Sequence, residues 1–223
     1  EERIVSGRAE ELAGERFDSL AVLLARNPRP VARPYAAPAL EDGDFARGEV
    51  PMTKGEIRAL VLSRLRLEAD SVVWDVGAGT GSVSVECALA CPAGRVFAVE
   101  RDPRALELIG ENAARHGATN LTAVAGAAPA ALAGLPAPDR VFLGGTGGSM
   151  EEILGAVFAK NPAARVVCTA LTLETVAQAA RLFAPLAGAD MVQISVTRTR
   201  RAGPYHLMDG QNPVWIFSGE GRS

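Results

Sequence analysis

Gly77, Gly79 and Gly81 stand two apart in Val73-Trp74-Asp75-Val76-Gly77-Ala78-Gly79-Thr80-Gly81-Ser82, where an apolar run gives way to a helix-forming one. Glycine lets a backbone turn tightly and approach a ligand, and a helix starting just after the turn presents N–H groups without partners of their own. Such a loop is a cofactor seat. The dinucleotide fingerprint G-x-G-x-x-G needs glycine at position 82, where this chain has Ser82, so nicotinamide cofactors are disfavoured. A second apolar run, Val96-Phe97-Ala98-Val99, ends in Glu100 and Arg101. That is about 20 residues past the loop, where a carboxylate can accept hydrogen bonds from both ribose hydroxyls of an adenosine.

A sheet must hold these segments side by side. Apolar runs predict strands near Val72 to Val76, Arg95 to Glu100, Leu121 to Ala125, Arg140 to Leu143, Arg165 to Thr169, Met191 to Thr197 and Val214 to Ser218. Helical patterns fill most gaps, at about Val83 to Leu89, Pro103 to His116, Met150 to Ala159 and Leu173 to Leu186. Ahead of them, Ile57, Leu60, Val61 and Leu65 recur at helical spacing between Ile57 and Leu67, and Thr53 with Glu56 matches a capping box. Alternating strands and helices predict an α/β fold, a mostly parallel seven-stranded sheet with helices on both faces. No helix fits between Thr197 and Val214, so the last two strands are expected to form a long antiparallel hairpin closing one edge.

The N-terminal portion reads differently. Leu20-Ala21-Val22-Leu23-Leu24 has strand character and precedes Asn27-Pro28-Arg29-Pro30-Val31-Ala32-Arg33-Pro34, whose prolines favour extended chain. Residues 1–27 are expected to be the remnant of a preceding domain, with an edge strand of the main sheet as the alternative. Residues 28–44 read as a linker and 45–223 as the main domain. The chain opens on Glu1 rather than methionine, which also suggests a piece of something longer.

With 223 residues, 48% hydrophobic and 22% charged, the composition is that of a globular chain burying roughly 70% of its unfolded surface. A formal charge of −3 gives no chain-wide attraction for nucleic acid or an anionic membrane, so an anionic ligand must be gripped locally. No apolar run reaches the ~18 residues of a membrane span. Cys87, Cys91, Cys168, His116 and His206 are too scattered for a four-ligand zinc site, so no metal is expected and the cysteines read as packing residues in a reducing cytoplasm.

The run from Asp75 to Gly81 with Glu100 after the next strand resembles the class I S-adenosylmethionine-dependent methyltransferases. More narrowly, four segments resemble the decarboxylating precorrin methyltransferases of cobalamin biosynthesis: Pro51-Met52-Thr53-Lys54, Gly126-Ala127-Ala128-Pro129, Gly144-Gly145-Thr146-Gly147-Gly148, and Tyr205-His206-Leu207-Met208-Asp209-Gly210-Gln211-Asn212-Pro213. The resemblance covers about residues 45 to 219 and implies a Rossmann-like fold with a terminal hairpin. In bifunctional members a C5-methylating domain precedes this one. The implied cofactor is S-adenosyl-L-methionine, at Thr53, Asp75, Gly77, Ala78, Gly79, Thr80, Gly81, Glu100, Arg101, Gly126, Ala127 and Ala128. Ala127 stands where family members commonly carry an acid that faces the adenine amino group. The implied partner is a precorrin tetrapyrrole, methylated at C15 with decarboxylation of its C12 acetate, and the implied assembly is a homotetramer in the cytoplasm.

Residues for the substrate are read from the remaining loops. Gly144, Gly145, Thr146 and Gly147 leave room for a planar macrocycle, and Lys54, Arg198 and Arg200 are candidate carboxylate anchors, the two arginines sharing one face by strand alternation. No catalytic side chain is identified; Tyr205 and His206 are the candidates for proton transfer. A dehydrogenase, another small-molecule methyltransferase and a non-catalytic cofactor-binding scaffold remain as alternatives.

Overall fold

A computed structural model describes residues 3–26 and 40–221, which belong to two separate units. The first contains one short helix, α1 (Ala9–Leu12). Its Leu20-to-Leu24 run forms no strand, and Leu20, Val22, Leu23 and Leu24 are exposed. The expected strand is therefore absent among the described residues: without a partner ladder an apolar run cannot hold β structure. Most of the proposed linker lies outside the described residues.

The second unit holds the sheet. Its elements are α2 (Gly55–Leu65), β1 (Val72–Val76), α3 (Ser82–Ala90), β2 (Arg95–Glu100), α4 (Pro103–His116), β3 (Leu121–Ala125), β4 (Arg140–Leu143), α5 (Met150–Lys160), β5 (Arg165–Ala170), α6 (Leu173–Phe183), β6 (Ala187–Ile194), β7 (Thr197–Ala202), β8 (Tyr205–Gly210) and β9 (Val214–Glu220). Seven strands run in the order β3-β2-β1-β4-β5-β9-β6. The first five are parallel and β9 lies antiparallel between β5 and β6. Strand alternation divides the core between two faces. Trp74, Val76, Val141, Leu143 and Phe217 pack under α5 and α6, whereas Val73, Phe142, Val167 and Ile216 pack under α2 and α3. Burial on both faces explains why the parallel strands read as continuous apolar runs.

Two expectations change here. The sixth strand begins at Ala187 and ends at Ile194 rather than Thr197, and the long hairpin connection is itself folded. β7 and β8 form a separate two-stranded ribbon, closed at its base where Gln211 N–H donates to the Val196 carbonyl at 2.9 Å.

Residues 40–44, counted above with the linker, are part of this unit. Arg58 on α2 is only 1% exposed. Its Nε donates to Glu86 of α3 at 2.5 Å, Nη2 to the Leu40 carbonyl at 2.5 Å, and Nη1 to the Thr53 carbonyl at 2.8 Å and Asp42 Oδ1 at 3.3 Å. Asp42 Oδ1 also accepts from Gly55 N–H at 2.9 Å. The helix start is thus capped by Asp42, and the expected Thr53–Glu56 box does not form: the N-cap is Lys54 and makes no side-chain cap bond. Asn112 of α4, fully buried, exchanges two 2.8 Å bonds with the Ala46 backbone and donates to the Thr80 carbonyl at 2.9 Å. Together these bonds fix the segment from Leu40 to Lys54 across α2, α3 and α4.

Removing one partner from a buried ion pair leaves an uncompensated charge, at a cost of about 3–5 kcal/mol. Glu86→Ala should therefore lower the urea midpoint sharply, and Arg58→Met should lower it at least as far, because it also strips the donors from the Leu40 and Thr53 carbonyls and from Asp42.

Candidate active site

β1 and β4 are parallel neighbours, with Val76 opposite Leu143, so the loops following them leave the same sheet edge together. Connections run outward to β2 on one side and to β5 on the other, which makes this the topological switch point where ligands of open α/β sheets bind. The two loops meet through backbone. A Cβ on Gly77 (φ +72°) would lie 2.4 Å from the Gly145 carbonyl oxygen, and one on Gly79 (φ +55°) would lie 2.8 Å from that of Pro51. Both glycines hold left-handed conformations in which side chains are strained.

The loops line a cavity of about 710 Å³. Thr53, Gly77, Ala78, Gly79, Glu100 and Arg101 line it, as does the turn from Gly126 to Ala128. Glu100 is held in place by backbone: Oε2 accepts from Gly79 N–H at 2.9 Å, and Oε1 from Arg101 and Asp102 N–H at 2.7 and 3.1 Å. Asp102 then caps α4 by accepting from Arg104 N–H at 2.9 Å. Beside this carboxylate, Val99, Ala105 and Ala127 present small apolar walls. A carboxylate at the strand end, a side-chain-free turn and a shallow apolar slot fit an adenosine-containing cofactor. On the substrate side, Lys54 and the loop from Gly144 to Gly147 also line the cavity.

Other predicted residues lie elsewhere. Thr80 and Gly81 are outside the lining, and the Thr80 carbonyl is engaged by Asn112. Asp75 is fully buried behind the loop, accepting from the Ser84 hydroxyl, and its Oδ1 has no partner among the described residues. It is bonded to Ser84 of α3 and lies outside the cavity lining. Arg198 and Arg200 fall on β7, and Tyr205 and His206 on β8, all outside the lining. Arg198 commits its fork to Glu56, with Nε and Nη2 at 2.9 and 2.6 Å from the two carboxylate oxygens, and lies 3.5 Å from Asp42. That pairing holds the Glu56 carboxyl below its usual range and turns the Arg198 fork toward α2.

Sequence reasoning did not assign several wall residues to the site, among them Ser149, Thr169, Gln211 and Asn212. The last two stand in the Tyr205-to-Pro213 segment that carries the family resemblance, which was the signal for them.

A family model described as the precorrin methyltransferase domain matches residues 44–220. This chain belongs to that family. It is 39% identical over 183 residues to a cobalt-precorrin-6B C(15)-methyltransferase (decarboxylating) of Salmonella typhimurium, covering 80% of this chain and 94% of the relative. A precorrin-6Y C(5,15)-methyltransferase [decarboxylating] of a Sinorhizobium species is 40% identical over 164 residues, 73% of this chain but 38% of that longer protein. The crystal structure of precorrin-6Y C5,15-methyltransferase from Geobacter metallireducens superposes with a TM-score of 0.76 at 38% identity, covering 82% of this chain and 97% of that one. Within the family fold, the Gly77 loop and the Gly144-to-Gly147 loop occupy the switch point described above.

The buried Asp75 gives this site a pH signature. Burial pushes its carboxyl up to about 7, with the Ser84 hydrogen bond acting against the rise. Between the ordinary value of 3.8 and about 7 the folded state holds a proton that the unfolded chain has released. Stability should therefore fall as pH rises through that window and level off above it, by a few kcal/mol at most. Asp75→Asn should flatten this slope when urea midpoints are compared at pH 5 and pH 7.5.

Proposed function

We propose that this chain is an S-adenosylmethionine-dependent C-methyltransferase that methylates C15 of a precorrin and releases the carboxyl of its C12 acetate as carbon dioxide, a step of cobalamin biosynthesis. The carrying observation is the single cavity in which the Gly77 loop, Glu100 and the glycine-rich loop at Gly145 converge, in a chain whose family match spans residues 44–220. When bound, S-adenosylmethionine supplies an electrophilic methyl group on a sulfonium.

The chain's residues supply the rest. Glu100 can accept the ribose hydroxyls, and the Gly126-to-Ala128 turn with Val99 and Ala105 packs against adenine, Ala127 giving contact without a side-chain hydrogen bond. Lys54 and Arg101, the cations of the cavity wall, can each hold a precorrin carboxylate by a charge-assisted bond of ~1.5–3 kcal/mol. The strap from Pro51 to Lys54 and the loop at Gly144 exclude water and orient the ring, an effect potentially worth ~7–11 kcal/mol. No oxidant is needed: the ring carbon exchanges a proton for methyl, and the side-chain carbon that loses carbon dioxide gains one.

The reading includes a homotetramer acting in the cytoplasm, without nucleic acid or membrane; exposed Tyr205, Leu207 and Met208 on the ribbon favour self-association. It also takes residues 1–27 as the remnant of a C5-methylating domain; the Sinorhizobium relative, of which the match covers 38%, is long enough to hold a further domain.

Mass spectrometry after incubation with a precorrin and a labelled methyl donor should register one methyl gained and one carbon dioxide lost; an unaltered tetrapyrrole rejects the reading. In calorimetry with S-adenosylhomocysteine, Gly79→Val should abolish binding and Glu100→Ala should cost about 1.5–3 kcal/mol. Deleting residues 1–26 should leave the melting temperature within a few degrees.

A further inference from the structure

Charge is distributed unevenly around the cavity. Four lining residues are charged: Lys54 comes from the strap, and Glu100, Arg101 and Asp102 come from the end of β2. The wall made by the end of β5, the loop after it, the base of the ribbon and the start of β9 carries none, offering Thr169, Gln211 and Asn212 among Leu171, Val196 and Val214. Thr169 is 8% exposed. Among the described residues its backbone carbonyl accepts from Cys168 and the Gln211 N–H donates to Val196, but no hydrogen bond engages the Thr169 hydroxyl or the two side-chain amides. Gln211 is half-buried and Asn212 exposed, so Thr169 is the confined member of the three; polar groups without protein partners at a cavity wall are available to a ligand.

A carboxylate that leaves as carbon dioxide loses its charge as the bond breaks. A cation beside it stabilises the starting state more than the transition state, whereas neutral groups hold it with less of that penalty. Neutral donors can still orient it, and the opening turn of α5 adds dipoles rather than a full charge. We infer that Thr169, Gln211 and Asn212 hold the precorrin carboxylate that departs, while Lys54 and Arg101 hold carboxylates that remain. This rests on the function proposed above. In the step, the bond between the side-chain methylene and the carboxyl carbon breaks and its electron pair enters the ring conjugation. The methylene takes up one proton, and the ring carbon that gains the methyl releases one.

The test separates binding from chemistry in Asn212→Lys and Thr169→Val. Precorrin binding is titrated by absorbance in the presence of S-adenosylhomocysteine, and carbon dioxide release is followed in a single turnover with S-adenosylmethionine. Asn212→Lys should bind precorrin at least as tightly as the parent yet release carbon dioxide at least tenfold more slowly. Thr169→Val should bind precorrin about tenfold more weakly, and both should keep parental affinity for S-adenosylhomocysteine. Parental release rates in Asn212→Lys, or parental precorrin affinity in Thr169→Val, overturn the inference alone. A parent that binds S-adenosylhomocysteine but alters no precorrin overturns the proposed function and the inference with it. If a variant loses S-adenosylhomocysteine binding its fold is damaged, and Gln211→Leu, expected to weaken precorrin binding, then decides by the same measure.

Discussion

Parallel pairing of β1 with β4 forces the loops after them to leave the sheet in contact, and the contact tolerates no side chain. With a Cβ on Gly77 only 2.4 Å from the Gly145 carbonyl oxygen, one loop cannot move without the other. Glu100 takes its place from the same geometry, because Gly79 N–H and the first two N–H groups beyond β2 converge on its carboxylate. The third wall, the strap from Pro51 to Lys54, is held from below by buried Arg58, which binds Thr53, Leu40, Asp42 and Glu86 together. A buried arginine with every donor group engaged is a rigid mount, so the cavity is framed by backbone and not by mobile side chains.

How much of this could be read from the sequence followed from the range of the interactions involved. β1 to β4 and α4 have the predicted bounds because local signals set them: short apolar runs, Asp102-Pro103 at a helix start, Gly117 at its end with φ +65°. The glycine loop and Glu100 were legible for the same reason. The capping of α2 was misread because its cap, Asp42, stands 13 residues from Gly55, while the nearby Glu56 is drawn to Arg198, 142 residues away. No local pattern reports such a pair. Glu86 in an otherwise apolar helix was the one visible hint of the buried charge cluster. The strand alternation expected at Arg198 and Arg200 is present, but their strand pairs with β8 in a separate ribbon instead of extending the sixth strand of the sheet, because neither ribbon strand has a face buried against the sheet.

The charge layout gives the site its chemical character. A net-acidic chain presents Lys54 and Arg101 to the cavity among otherwise mostly uncharged lining residues, while Arg198, the first arginine of the densest basic run of the sequence, is directed at Glu56 and Asp42. Arg198 thus ties the ribbon to the start of α2, beside the strap that covers the cofactor seat.

Amide hydrogen exchange with and without S-adenosylhomocysteine tests the central claim, that one switch-point cavity seats the cofactor. Slower exchange at Gly77 to Gly79, Glu100 to Asp102, Gly126 to Ala128 and the strap from Met52 to Lys54, with the ribbon from Thr197 to Gly210 unchanged, is the predicted result. Protection confined to the ribbon, or absent from the Gly77 loop, would contradict it.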